Sequence, residues 1–234
     1  MKLPVLLRRR YLVLPTLPGV MLILVVLSLS IYVIFQNVAS FLAVNEPIGA
    51  DYLVIEGWLG KKELKQAYQI FDGRDYKLAI VSGGPITDEF NSGPPNYAER
   101  ARQYLLSIDF LEEKLFAAPA PYSAQERTFL SAVMVRDWFT GQGIVVKSLD
   151  IFSGDVHARR SRHLYQLAFG EHVEIGVYAS EPDEFDLSRW WQSSDAAKSV
   201  ASELVGWGLV KCCFNFGERG SHNEKWGIEK QAGN

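Results

Sequence analysis

Only two cysteines occur in the 234 residues, and they are neighbours, Cys212 and Cys213. With no CxxC pair there is no metal-ribbon signal. Adjacent thiols close a strained ring, so two separate thiols packed at a helix end are expected. A basic excess is missing as well: 24 Lys and Arg against 27 Asp and Glu leave a net charge of −3. That excludes the strongly basic profile of a nucleic-acid binder. The sequence also has no GxGxxG fingerprint, no nucleophile elbow, no metal-ligand cluster and no internal repeat, so no metal site and no particular cofactor follow from it.

The widest gap is one of charge. No Asp, Glu, Lys or Arg stands between Arg10 and Glu46. Within that gap residues 17–35 read LPGVMLILVVLSLSIYVIF, close to the ~20 apolar residues that cross a bilayer core. A cleaved signal peptide has a shorter apolar core, of roughly 7–15 residues, and a small-x-small cleavage site. Here the only cleavage candidate is Val38-Ala39-Ser40. An uncleaved anchor is therefore expected, ahead of a cleaved signal or a buried helix of a soluble domain. Lys2, Arg8, Arg9 and Arg10 precede the span, and no basic residue follows until Lys61. The positive-inside rule then places the N-terminus in the cytoplasm. This divides the chain into a basic cytoplasmic segment (1–16), an anchor (17–44), an extracytoplasmic domain (50–214) and a polar, disordered tail (215–234). A short polar linker, residues 45–49, joins anchor and domain.

Beyond the anchor, strand-like and helix-like stretches alternate. Strands are expected at 51–56, 77–82, 115–118, 144–152 and 172–178. Helices are expected at 61–71, 96–107, from the Ser123 capping box to about 139, 155–169 and 195–213. Such alternation predicts an α/β fold, a parallel sheet of about five strands with helices on both faces. Ligands of such sheets bind beyond the carboxyl ends of the strands, so the strand-to-helix junctions are where candidate residues belong.

Four junctions qualify. After the first strand, Glu56-Gly57-Trp58-Leu59-Gly60 is either a tight turn or a place where backbone approaches a ligand. After the second, Ser82-Gly83-Gly84 offers a hydroxyl and backbone N–H groups to an anion. The Gly/Pro-rich loop that follows is a lid or simply a loop. The third is Glu126-Arg127-Thr128. Glu126 is accounted for by the capping box, whereas Arg127, placed at a positive helix end, is a candidate anion contact. The fourth, SGDVHARRSRHL, starts a helix on which Val156, Arg160, Leu164 and Leu167 share an apolar face. Arg160 is thereby expected to point toward the sheet, with an internal carboxylate or a ligand phosphate as its partner. His157 sits at the edge of that face, and Arg159 and Arg162 on the wet side. A phosphate at this helix start fits the positive end of the helix dipole.

In this order the residues resemble the SanA, ElyC and YdcF family of bacterial envelope proteins. The resemblance is carried by Ile55-Glu56-Gly57, Ser82-Gly83-Gly84, Glu99, Ser123 with Arg127-Thr128, and His157-Ala158-Arg159-Arg160. It covers residues 50–180 and implies a Rossmann-like domain. It further implies a membrane-tethered periplasmic location and a role in envelope integrity or cell-wall precursor metabolism, without supplying a reaction. The leading expectation is a domain in the plasma membrane that binds, and hydrolyses or transfers, a phosphate-bearing or lipid-linked precursor. In it Arg127, Thr128, Arg160, Ser82 and the Gly83-Gly84 amides hold phosphate oxygens. His157 is then acid or base, and Glu99 or Glu56 orients a water or a metal. A non-catalytic module for a nucleotide-like ligand is the alternative. A tethered interaction domain using Trp190-Trp191 is a third, against the plainer reading that the two tryptophans are core.

Overall fold

The computed structural model describes residues 14–88, 92–123, 126–182 and 185–213. The expected basic N-terminus (apart from residues 14–16) and the expected disordered tail lie outside the described residues. The chain divides into two compact units, Met1–Asn37 and Val38–Asn234. Residues 17–37 of helix α1 (Leu17–Leu42) lie in the first unit, and its last turn, residues 38–42, belongs to the second. The helix is uncharged, has a mean hydropathy of 2.6 over its best window, and is long and apolar enough to cross a membrane.

The second unit is a five-stranded parallel sheet with helices on both faces, a Rossmann-like α/β domain. Its strands are β1 (Tyr52–Glu56), β2 (Leu78–Gly83), β3 (Leu115–Pro119), β4 (Ser148–Ser153) and β5 (Glu174–Ala179), in the order β3-β2-β1-β4-β5. Alternation along β1 shows how the layers form. Tyr52 and Val54 enter the core shared with α4 (Arg127–Gly141) and α5 (Ala158–Phe169). Leu53 and Ile55 enter the core shared with α2 (Lys61–Asp72) and α3 (Tyr97–Leu106). All five β1 residues are buried, as the apolar run of a strand covered on both faces requires. A last helix, α6 (Ser194–Cys213), contributes Ala196 and Val200 to a third cluster with Val156 and Trp190. Trp190 is therefore core, and Trp191 packs edge-on against it.

Four local expectations are corrected. Residues 45–49 are not a free linker: Glu46 pairs antiparallel with Val177, and the Ile48 and Ala50 N–H groups donate to the Asp150 carboxylate. Backbone donors beside a buried acid have a stronger partner there than water. The helix expected to open at the Ser123 capping box begins at Arg127, after a left-handed turn at Glu126 (φ 45°, ψ 46°). The two middle residues of that box, Ala124 and Gln125, lie outside the described residues. The helix expected from residue 155 opens with a 3₁₀ turn, Asp155–His157, before α5 proper. Cys212 and Cys213 are joined in a disulfide at the end of α6 rather than standing as separate thiols.

Candidate functional site

The chain passes from the β1 half of the sheet to the β4 half between those two strands, and there the crossovers leave toward opposite sides. Open parallel sheets bind ligands at this switch point, beyond the carboxyl ends of the strands. Here it opens into a cavity of about 710 Å³. Its lining includes Glu56 from the end of β1, Ser82 and Gly84 from the end of β2, Arg127 and Thr128 from the start of α4, and His157.

Glu56 forms the floor and is 2% exposed. One carboxylate oxygen accepts from Ser161 Oγ at 2.7 Å; the other accepts from Ser153 Oγ at 2.8 Å and from Trp58 Nε1 at 3.1 Å. Three neutral donors thus compensate a buried anion, which without them would be costly. Trp58 lies edge-on to the His157 ring, 5.4 Å between centroids. Gly154 makes room for the indole: a Cβ there would lie 2.6 Å from it.

His157 is the group the site is arranged around. Its Nδ1 lies 3.0 Å from Glu203 Oε1 and 3.1 Å from Arg160 Nη2. Arg160 also donates to both Glu203 oxygens, Nε at 2.8 Å and Nη2 at 3.0 Å. Glu203 only accepts and Arg160 only donates, so the contact with Glu203 is a hydrogen bond when Nδ1 carries a proton and the contact with Arg160 Nη2 is one when it carries the lone pair. In the tautomer that serves Glu203, Nε2 holds the ring's lone pair. Nε2 faces the cavity wall, 3.4 Å from Thr128 Oγ1 and 4.0 Å from Glu56 Oε2. Burial pushes the Glu203 carboxyl up, but hydrogen bonds and charge from His157 and Arg160 outweigh it and hold it at about 2. Glu203 is therefore an anion at any physiological pH.

Arg160 has an internal carboxylate partner, Glu203, and also lines the cavity. The side chain lies toward α6, not toward the sheet, and passes over Gly206, where a Cβ would sit 3.2 Å from its Nε. Only Val156 and Leu164 of its expected apolar face are fully buried. Arg159 and Arg162 also find partners: Arg159 donates to the Phe41 carbonyl and lies over its ring, and Arg162 bonds the Ile175 carbonyl and Glu46.

The remaining candidates separate by what they touch. Ser82 Oγ is buried and lies 3.0 Å from the Tyr165 hydroxyl, which burial keeps firmly neutral. Gly57 serves packing, and Gly83, which also lines the cavity, is packed as closely: a Cβ at either would lie within 3 Å of Tyr97 atoms. Gly84 is open to the cavity, with nothing nearer than 3.9 Å to such a Cβ. Arg127 is exposed at the lip. Glu99 is not among the lining residues; its backbone N–H is capped by Asn96, at the far end of the expected lid loop. Among the described residues no group of three or more His, Cys, Asp or Glu is placed to hold a metal ion.

Sequence reasoning missed Glu203, Ser153, Ser161 and Tyr165. A signal for Glu203 existed. Ala196, Val200, Glu203, Trp207 and Val210 recur at helical spacing, so a lone acid sits on an otherwise apolar face. Comparison with protein-family models gives no match, and comparison with curated protein sequences gives none either.

Proposed function

We propose that this is a plasma-membrane protein anchored by α1, with a cytoplasmic N-terminus and an extracytoplasmic domain. Its cavity binds a phosphate-bearing envelope precursor, polyprenyl-linked or nucleotide-like, and acts on it by proton transfer through His157. The observation that carries the reading is the His157–Glu203 pair. A carboxylate orients Nδ1, and Nε2 is left basic toward the cavity at the sheet's switch point. In this scheme Arg127, the α4 N-terminus and the Gly84 backbone take the phosphate oxygens. Thr128 orients the group that exchanges its proton with Nε2. Glu56, 4.0 Å from Nε2, stabilises the imidazolium that results. Arg160 moves from the ligand contacts expected of it to the role of holding Glu203. The resemblance to the SanA, ElyC and YdcF family supports the envelope setting.

The test uses the full chain in detergent micelles, screened by thermal shift against polyprenyl phosphates, polyprenyl pyrophosphates and nucleotides. A ligand at ~100 times its dissociation constant adds about 2.7 kcal/mol. Arg127→Ala is expected to weaken binding, and His157→Gln to keep binding while losing turnover. Binding without turnover of any pyrophosphate would select the non-catalytic module. No shift with any ligand would end the phosphate reading.

A further inference from the structure

The outward face of α6 has no use in the domain described so far. At 3.6 residues per turn, Ala201, Leu204, Val205, Gly208, Leu209 and Cys212 fall within an arc of about 140°. Leu204, Val205 and Leu209 are 42%, 63% and 57% exposed. Between Ala201 and Cys213 the only charged residues are Glu203, turned inward to His157 and Arg160, and Lys211 in the last turn. The inward face is already occupied by Ala196, Val200 and Val210. Single exposed leucines are ordinary on a protein surface, but a continuous apolar stripe beside a packed face marks a contact.

The neighbouring residues say what the contact is. Trp207 of α6 meets Phe41 edge-on, 5.1 Å between ring centroids. Phe41 follows the apolar run ending at Phe35 by six residues, which as extended chain reach at most about 20 Å. Whatever touches Phe41 is held close to the point where the chain leaves the bilayer. The Arg159 guanidinium lies 3.9 Å over the Phe41 ring, and Lys211 ends the stripe. The inner side of α6 is thus packed, with Trp207, against the last turn of α1, and the apolar face it leaves outward, closed by Lys211, has the composition of a helix lying at the headgroup boundary.

We propose that the outward face of α6 docks on the headgroup boundary of the membrane that α1 enters, so that Val205 and Leu209 lie among the upper acyl carbons. This rests on the anchor reading of α1.

The experiment uses the full chain with Cys212→Ser and Cys213→Ser, reconstituted in phosphatidylethanolamine–phosphatidylglycerol nanodiscs. Val205→Cys carries an environment-sensitive fluorophore. Val145→Cys, at an 83% exposed position before β4, carries it as the control. The expected result is blue-shifted emission at 205 that spin-labelled acyl chains quench roughly twofold or more, as for a face buried about 5–10 Å into the boundary. The control stays unquenched. Equal, weak quenching at both positions overturns the proposal. So does a disulfide between copies of the unlabelled Val205→Cys chain, formed under an added oxidant, when the labelled chain shows no lipid quenching, which assigns the face to a second copy. Flotation with vesicles after an alkaline wash separates the two readings. A chain that fails to float overturns the anchor itself, whereas one that floats yet is unquenched at 205 overturns only the docking.

Discussion

Glu56 on β1 and Asp150 on β4 are carboxylates on neighbouring strands, 2% and 0% exposed, and each is fully hydrogen-bonded. Asp150 stands opposite Leu53, three residues before Glu56 in the register. It accepts from the Ile48 and Ala50 N–H groups and from the Tyr76 hydroxyl at 2.8 Å. Gly176 is forced beside it, since a Cβ there would lie 1.9 Å from Asp150 Oδ1. Burial and hydrogen bonds to Tyr178 and Asp150 push the Tyr76 hydroxyl well up, so it stays a donor. Two of the Asp150 partners thus hold residues 48–50 to the sheet, and the third, Tyr76, satisfies it from the other side. Glu56 is satisfied as completely, yet it opens on a cavity with an imidazole 4.0 Å away. Burial of an acid does not distinguish a structural residue from a site residue; the free space and the second titratable group beside it do.

Substitutions test that distinction. Asp150→Asn is expected to have the largest effect on stability. It leaves a buried donor facing donors, at a cost of about 3–5 kcal/mol. At ~2–4 °C per kcal/mol for a chain of this size, thermal denaturation should show a fall near 10 °C, with ligand affinity intact in the protein that stays folded. Equal losses of stability and binding at both carboxylates would break the comparison.

Next in size is a pH effect. Glu203 is held at about 2 in the folded protein against an ordinary 4.5. Its stabilisation is fully present above the ordinary value and is lost as pH falls from there toward 2, about 3 kcal/mol in all. Glu203→Gln should flatten the acid limb of a stability-against-pH curve in that window. An unchanged limb would mean that other carboxylates carry it.

Glu56→Gln keeps the shape but not the charge, and is expected to cost about 1–2 kcal/mol. Its larger consequence should be functional, read as a shift in the pH profile of ligand binding. A stability loss matching that of Asp150→Asn would make Glu56 purely structural. Smallest in stability is His157→Gln, within about 1 kcal/mol. If His157 moves a proton, turnover should drop by about 10²–10⁴-fold in steady-state assays.

The fold was legible because its signals are local. Uninterrupted apolar strands such as YLVIE, alternating with helices of period 3.6, predict a parallel sheet covered on both faces, and β1 to β5 lie within a few residues of the expected spans. Boundaries slipped at Glu126, where the chain turns left-handed, and at the 3₁₀ turn before α5. Residues 45–49 read as a linker because nothing local announces Asp150 as their acceptor, about 100 residues away in the chain.

The site was half legible for the same reason. Junction residues can be located from the chain, so Glu56, Ser82, Gly84, Arg127, Thr128 and His157 were found and do line one cavity. Their roles depend on partners distant in sequence. Ser161 reaches Glu56 across 105 positions, and Glu203 reaches Arg160 across 43. By itself the sequence determined the apolar helix, the parallel α/β layering and the edge of the sheet on which chemistry is possible, because periodicity and charge gaps act over neighbouring residues. Only the tertiary structure decided that Arg160 spends its charge on Glu203, that Glu203 orients His157 and that Asp150 is a clamp. A buried charge takes whichever partner the packing brings within about 3 Å, and that choice is written nowhere along the chain.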